Sequence, residues 1–120
     1  MKKILIIEDS SELQALYTDA LTQKGFGVSY AATAERGLTM LATDKPDLLI
    51  LDIMLPGGGN GFDVLELMKK DPRYANIPVV IVTNLDSEEK IAREIGVADY
   101  IVKSNVPFPT IIERITKLVP

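Results

Sequence analysis

The stretch LLILDIMLP, residues 48–56, places an aspartate directly after four apolar residues. Aspartate is depleted in strands, and a buried carboxylate without a partner carries a large desolvation penalty. A short continuous apolar run is typical of a strand that is covered on both faces, as in parallel sheets. We therefore expect Asp52 at the end of such a strand, at the edge of the sheet, where other groups can compensate its charge.

The composition of the chain excludes several classes of protein. Its 120 residues are typical of one domain with its own hydrophobic core. The absence of cysteine and histidine excludes a disulfide framework, thiolate metal sites and every Ser-His or Cys-His mechanism. The net charge of −4 argues against direct binding of nucleic acid. No apolar run approaches the ~20 residues of a membrane span, so we expect a cytoplasmic protein that does not contact the membrane.

Short apolar runs alternate with segments of helical periodicity along the whole chain. The strand-like runs are 4–7, 26–30, 48–51, 79–82 and 100–102. The helical segments are 10–25, 34–44, 60–71, 86–96 and 109–119. Five strand–helix repeats predict an α/β fold, namely a doubly wound (βα)5 three-layer sandwich of flavodoxin-like type with parallel strand order 2-1-3-4-5. We expect a single domain over residues 1–120, with no effector domain in this chain.

Local signals predict where these helices begin. A capping box starting at Ser11 is predicted for the first helix, and Asn60 and Asp86 are predicted to cap the third and fourth. The stretch GGGNG, residues 57–61, is predicted to be a loop before the third helix. Phe108 stands between two prolines at the start of the last helix, where it either contacts a partner or packs on the core.

Polar residues follow four of the predicted strands at the point where each strand ends. Glu8 and Asp9 follow the first strand, Asp52 the third, Thr83 the fourth and Lys103 the fifth. In the predicted order these four strands are neighbours, so their carboxyl ends meet at one edge, where such sheets bind ligands. We expect three carboxylates, a hydroxyl and an ammonium to converge there.

This set of groups favours phosphoryl chemistry with a metal ion. Three carboxylates held close together repel each other, and a hard divalent cation removes that repulsion. Oxygen donors suit Mg²⁺, which keeps several waters and often shares its site with a phosphoryl group. Lys103 and Thr83 can contact phosphoryl oxygens, and Asp52 is the candidate nucleophile, which would form an aspartyl phosphate.

The motifs at these strand ends resemble those of the receiver domain of two-component response regulators. They are IIED (6–9), LDIMLP (51–56), IVTN (81–84) and DYIVKS (99–104), in the expected order. The resemblance covers essentially all 120 residues. It implies a signalling switch that catalyses only its own phosphorylation and dephosphorylation, rather than an enzyme with a diffusible substrate.

The resemblance also implies a role for each residue that binds the metal or accepts the phosphoryl group. Asp52 is similar to the phosphoacceptor, which is modified by a phosphohistidine on a sensor histidine kinase or a histidine phosphotransfer protein. Asp9 is similar to a direct Mg²⁺ ligand, and Glu8 to an acid that acts largely through water. Met54 matches the position whose backbone carbonyl contributes to the metal site.

Two further positions imply a conformational switch. Thr83 and Lys103 are similar to the residues that hold the phosphoryl oxygens. Tyr100 matches an aromatic residue that turns inward as the threonine moves toward the phosphate, which is a two-state change biased by a new local charge. One surface, formed by the fourth helix, the fifth strand and the fifth helix, would read out this change, and two copies of the chain can pair through it.

The sequence departs from the family pattern at several positions. Ser104 follows the lysine where the family usually has a proline after a cis peptide bond, and Asn84 stands where a small residue is usual. The loop 57–61 is one residue longer than its common form. Met54 and Leu85 are apolar where other members carry polar residues that position a hydrolytic water, which predicts slow loss of the phosphoryl group.

Two other functions stay open from the residues alone. One is a protein-interaction module of the same fold that signals without phosphate, and failure to bind Mg²⁺ near Asp52 would favour it. The other is a flavodoxin-type cofactor carrier, although three acids line a flavin phosphate poorly without a metal. Asp52 and Lys103 also fit a purely structural ion pair, because ion-pair networks gather charges in the same way.

Overall fold

A five-stranded parallel sheet forms the centre of the molecule in the computed structural model, which describes residues 1–57 and 59–120. The strands are β1 (Lys3–Ile7), β2 (Gly27–Ala31), β3 (Leu48–Leu51), β4 (Val79–Thr83) and β5 (Asp99–Val102). The helices are α1 (Ser11–Gln23), α2 (Ala34–Thr43), α3 (Gly61–Lys70), α4 (Glu89–Ile95) and α5 (Phe108–Thr116). The strand order β2-β1-β3-β4-β5 confirms the predicted topology. Gly58, in the predicted loop 57–61, lies outside the described residues.

The register of the sheet brings the carboxyl ends of its strands to one edge. Leu51, the last residue of β3, pairs with Ile7 at the end of β1 and with Ile81 in β4. Thr83 at the end of β4 pairs with Val102 at the end of β5. The residues that follow β1, β3, β4 and β5 are therefore neighbours at this edge.

Two hydrophobic clusters cover the two faces of the sheet. Ile4 and Ile6 of β1 pack toward α1 and α5, whereas Leu5 and Ile7 pack toward α2, α3 and α4. Every residue of β3 and β4 is buried, which explains why these strands read as continuous apolar runs. Within the described part of the chain, no helix is both long and apolar enough to cross a membrane.

The N-cap of the first helix lies one residue before the predicted one. Ser10 is the N-cap, and its hydroxyl oxygen accepts a hydrogen bond from the Leu13 amide at 3.2 Å. The capping box predicted from Ser11 is therefore wrong, and Ser11 is the first helical residue. The Ser10 amide donates to the Glu8 carboxylate at 3.0 Å, which fixes Ser10 in the extended conformation that a cap requires.

The starts of α3 and α4 give one confirmed prediction and one wrong one. Asn60 caps α3, and together with Asp63 it forms a complete capping box. In contrast, Asp86 is not the cap of α4, because that helix begins at Glu89 and its first backbone bond is accepted by the Glu88 carbonyl. The connection from β4 is therefore longer than the sequence predicts.

Candidate functional site

Three carboxylates meet at the carboxyl edge of the sheet. One oxygen from each of Glu8, Asp9 and Asp52 lies within 4.8 Å of the others. Glu8 and Asp52 are 3% and 5% exposed, whereas Asp9 is exposed, so the cluster has a buried floor and an open side. Oxygen donors in this number are the ligands of hard divalent cations. The residues therefore fit a divalent cation, which would also remove the repulsion between them.

Lys103 provides the positive charge that faces these acids. Its Nζ donates hydrogen bonds to Glu8 Oε1 at 2.5 Å and to Asp52 Oδ2 at 2.8 Å. Burial opposes the charge on this lysine, but the hydrogen bonds to Asp52 and Glu8 and the charges of these acids together outweigh burial and raise the pKa of Lys103. Burial also raises the pKa of Glu8, against the opposing effect of the Lys103 ammonium. Lys103 is thus held in its charged form, and its ammonium covers one oxygen of Asp52.

The Asp52 carboxylate is held on both oxygens while its backbone belongs to the sheet. The Met54 amide donates to Asp52 Oδ1 at 3.1 Å, and Lys103 donates to the other oxygen. The Asp52 amide donates to the Ile7 carbonyl at 3.0 Å, which extends the ladder between β1 and β3 by one residue. The side chain is therefore oriented toward the edge by a rigid main chain.

Gly61, at the start of α3, packs directly on the backbone of Asp52. A β-carbon at position 61 would lie 2.3 Å from the Asp52 carbonyl oxygen and 2.7 Å from the Ile53 Cα. The Gly61 amide also donates to the Ile53 carbonyl at 2.9 Å. Only glycine allows α3 to approach the end of β3 this closely.

Gln14 belongs to the site, although the sequence analysis did not assign it there. Its side chain is buried, and its Nε2 donates to the Glu8 backbone carbonyl at 2.5 Å. Together with the Ser10 amide, which bonds the Glu8 carboxylate, it holds Glu8 at both its backbone and its side chain. The feature of the sequence that could have identified Gln14 is its position as a polar residue on the core-facing side of α1, between Leu13 and Tyr17.

Thr83 and Tyr100 are linked through the loop between β4 and α4. Thr83 is fully buried, and its Oγ1 accepts a hydrogen bond from the Leu85 amide at 3.4 Å. Tyr100 is buried, and its hydroxyl donates to the Leu85 carbonyl. The Tyr100 ring is therefore packed inside the fold, and burial raises the pKa of its hydroxyl. Among the hydrogen bonds of the described residues, none joins Thr83 or Tyr100 to the Asp52 carboxylate.

The positions that depart from the family pattern lie around this site. Lys103–Asn105 form a 3-10 turn, and the described peptide bonds are all trans, including the one between Lys103 and Ser104. Asn84 is exposed, Met54 is 56% exposed and Leu85 is half-buried. The apolar residues Met54 and Leu85 are joined to the site through their backbone amides, which donate to Asp52 and Thr83.

Comparison with known proteins agrees with this geometry. The model of the family described as "Response regulator receiver domain" matches residues 4–116. The transcriptional regulatory protein AfsQ1 of Streptomyces coelicolor is 35% identical over 105 residues, which are 86% of this chain and 45% of that protein. The chain thus spans about half the length of this relative.

Two solved structures that resemble the chain are receiver or response regulator proteins. The BeF3-activated N-terminal receiver domain of RstA from Klebsiella pneumoniae is 30% identical, with a TM-score of 0.85, and the match covers 99% of this chain and 100% of that one. The response regulator TrrA from Thermotoga maritima, in complex with Mg(2+)-BeF, is 26% identical, with a TM-score of 0.85 and the same coverage of both chains.

Proposed function

The chain belongs to the response regulator receiver domain family of two-component systems, and we propose that it acts by taking a phosphoryl group onto Asp52 with Mg²⁺ bound beside it. The observation that carries this proposal is the position of Lys103, whose Nζ bridges Asp52 and Glu8 at the carboxyl edge of the sheet. A nucleophile, a positive charge and a cluster of oxygen donors are then within reach of one phosphoryl group.

The choice of Mg²⁺ rests on the chemistry of the donors. Glu8, Asp9 and Asp52 offer only oxygen atoms, and the Met54 carbonyl, two residues after Asp52, is a further oxygen donor. When bound, the metal would supply positive charge that offsets the charge developing on the transferring group. Gln14 and the Ser10 amide support this role, because they fix Glu8 before any ion binds.

The transfer itself needs only a nucleophile and groups that stabilise charge. An oxygen of the Asp52 carboxylate forms a bond to phosphorus as the bond between phosphorus and the donor breaks, and the electron pair leaves with the donor. The donor in the cell is a phosphohistidine of a sensor histidine kinase or a histidine phosphotransfer protein. Lys103 releases Asp52 Oδ2 and donates to a phosphoryl oxygen.

The signal leaves the site through the loop between β4 and α4. The Thr83 hydroxyl oxygen accepts from the Leu85 amide, so its proton is free to be donated to a phosphoryl oxygen. A movement of Thr83 changes the position of Leu85, and Leu85 is bonded to Tyr100. The surface of α4, β5 and α5 is therefore the output surface, and two phosphorylated copies can pair through it.

Intact mass spectrometry after incubation with acetyl phosphate and MgCl₂ tests this function. We expect the wild type to gain the mass of one phosphoryl group, and EDTA to abolish the gain. Asp52→Asn should gain nothing, whereas Asp19→Asn, which changes an exposed acid on α1, should behave as the wild type. A folded wild type that gains no mass would reject the proposal and favour a module that signals without phosphate. Modification of Asp52→Asn would reject the acceptor.

A further inference from the structure

An aromatic pair connects α1 to the start of α5, where the loop after β5 ends. The rings of Tyr17 and Phe108 have centroids 5.5 Å apart and are tilted by 50°, which is a favourable arrangement for two aromatic side chains. Tyr17 is 1% exposed, and Phe108 is half-buried at the first position of α5. These contacts support the prediction that Phe108 packs on the core.

The loop between Lys103 and Phe108 has few other contacts with the core. Ser104 and Asn105 are exposed, and only Val106 and Phe108 pack against the hydrophobic cluster that α1 and α5 share. Prolines precede and follow Phe108, and they restrict the backbone on both sides of the ring. The loop that carries Lys103 is therefore held by the pairing of Val102 in β5 at one end and by the packing of Val106 and Phe108 at the other.

The same helix holds the acid that Lys103 contacts. Tyr17 lies about one turn after Gln14, whose side chain bonds the Glu8 carbonyl. Burial, with the charges of Glu8 and Asp52, raises the pKa of the Tyr17 phenol, so this side chain stays neutral. One face of α1 thus contacts both Glu8 and the start of α5.

We propose that the Tyr17–Phe108 pair is a positioning element of Lys103, which holds the loop after β5 so that the ammonium stays at its distance from Glu8 and Asp52. In the family pattern a proline follows the lysine directly, whereas here Ser104 follows it and the anchor lies five residues further along the chain. The effect on phosphorylation rests on the proposed function. The effect on Lys103 in the unmodified protein does not.

Amine labelling of Lys103 tests the positioning role without phosphate. In Phe108→Leu we expect N-hydroxysuccinimide acetate to modify Lys103 about fivefold faster or more, relative to the exposed Lys117, because the amine loses its charged hydrogen-bond partners. The matched control is Phe26→Leu, which shortens another half-buried aromatic of the same cluster at the opposite end of the sheet. Peptide mass spectrometry measures both rates.

A double-mutant cycle tests the same role during phosphorylation. We expect Phe108→Leu to slow modification by acetyl phosphate about tenfold, since small misplacements of catalytic groups are costly. In a Lys103→Ala background the same change should slow it further by less than about twofold, because both changes act on one group. Phe108→Tyr keeps the ring and should keep the wild-type rate, as should Phe26→Leu.

The two experiments separate the possible failures. Wild-type labelling of Lys103 in a folded Phe108→Leu protein overturns the inference, and so does an equal loss of rate with and without Lys103. If the wild type accepts no phosphoryl group but the labelling of Lys103 responds as expected, the proposed function fails and the positioning role stands. Circular dichroism verifies folding, and Phe108→Met replaces Phe108→Leu if the latter does not fold.

Discussion

The Cα of Gly61 stands against the carbonyl group of Asp52, so that any β-carbon at position 61 would meet the carbonyl oxygen at 2.3 Å. Both groups belong to the backbone, and neither can rotate away as a side chain would. The start of α3 and the end of β3 are therefore fixed relative to each other by direct contact. This contact holds the backbone of Asp52, the candidate phosphoacceptor, while Lys103 and Met54 hold its carboxylate.

Gly61→Ala should destabilise the fold by about 1–3 kcal/mol, because the added methyl group forces backbone atoms apart. Urea unfolding at neutral pH measures this change. Gly59→Ala is the control, since a β-carbon at position 59 meets no atom closer than 3.4 Å, an ordinary contact. Equal stabilities of the two variants would show that α3 can shift away from Asp52 without cost.

Lys103→Ala should change metal binding and phosphorylation in opposite directions. Loss of the ammonium leaves the carboxylate cluster more negative, so a divalent cation should bind about tenfold tighter. Phosphorylation by acetyl phosphate should slow by about tenfold or more, since the lysine no longer stabilises the phosphoryl oxygens. Calorimetric titration with MgCl₂ and intact mass measure the two effects. Lys117→Ala, which removes an exposed lysine, should alter neither, and weaker metal binding by Lys103→Ala would contradict this assignment.

Replacing both Met54 and Leu85 by polar residues should shorten the lifetime of the aspartyl phosphate by about fivefold or more, since a positioned water attacks more readily. Met54 is 56% exposed and Leu85 half-buried, and their amides donate to Asp52 and Thr83. Decay of the phosphorylated mass after removal of the donor gives the lifetime of Met54→Asn/Leu85→Gln. Leu67→Gln, on the exposed face of α3, should decay as the wild type does. An unchanged lifetime in the double variant would mean that other groups limit hydrolysis.

The pair of Asp99 and Arg114 predicts a dependence of stability on pH. Burial opposes the charge of Asp99. The hydrogen bonds from Arg114 at 2.6 and 2.8 Å, the bond from the Tyr100 amide and the nearby arginine charges together outweigh burial and lower the pKa of Asp99 below the ordinary value of 3.8. A lowered carboxyl pKa contributes stability that is fully present above the ordinary pKa and is lost as the pH falls through the lowered one.

Arg114→Gln should therefore lower the free energy of unfolding at pH 7, by no more than about 1 kcal/mol because the pair is partly open to solvent. The difference from the wild type should persist down to about pH 4 and shrink below it. Denaturant unfolding at a series of pH values measures this. Lys117→Gln, whose partner Glu113 is 3.5 Å away and exposed, should cost a few tenths of a kcal/mol at most. A constant difference at all pH values would exclude the ion pair as its cause.

The sequence predicted the topology and the meeting of Asp52 with Lys103 at one edge of the sheet, because both follow from the order of the strands and the polar residues after them. The run 48–51 is buried on both faces and became β3 with the predicted bounds. Asp52 then had to stand at the carboxyl edge, where the order of the strands brings Lys103 beside it across 51 residues of sequence. Polar residues directly after apolar strands are thus a strong signal in a parallel α/β fold.

Contacts that depend on side-chain direction or on close approach were not predictable in this way. Gln14 contacts Glu8 because of its rotation about α1, and the sequence favoured a capping role for it instead. The approach of Gly61 to Asp52 depends on the path of the loop before α3. From the sequence alone, a glycine in that loop is equally well explained by a turn. The link between Tyr17 and Phe108 joins residues 91 positions apart in elements that the pattern alone does not pair.

The backbone bond from Asp52 to the Ile7 carbonyl determines where a chemical change at this residue can be observed. Main-chain amides at the centre of a sheet open only with large parts of the fold, so hydrogen–deuterium exchange there is slow whatever the side chain carries. Modification of Asp52 should leave exchange in β3 unchanged. The amides of residues 84–88, which connect β4 to α4, should report the change instead. We therefore expect the backbone of Asp52 to stay closed in both states, while the segment 84–88 responds to the modification.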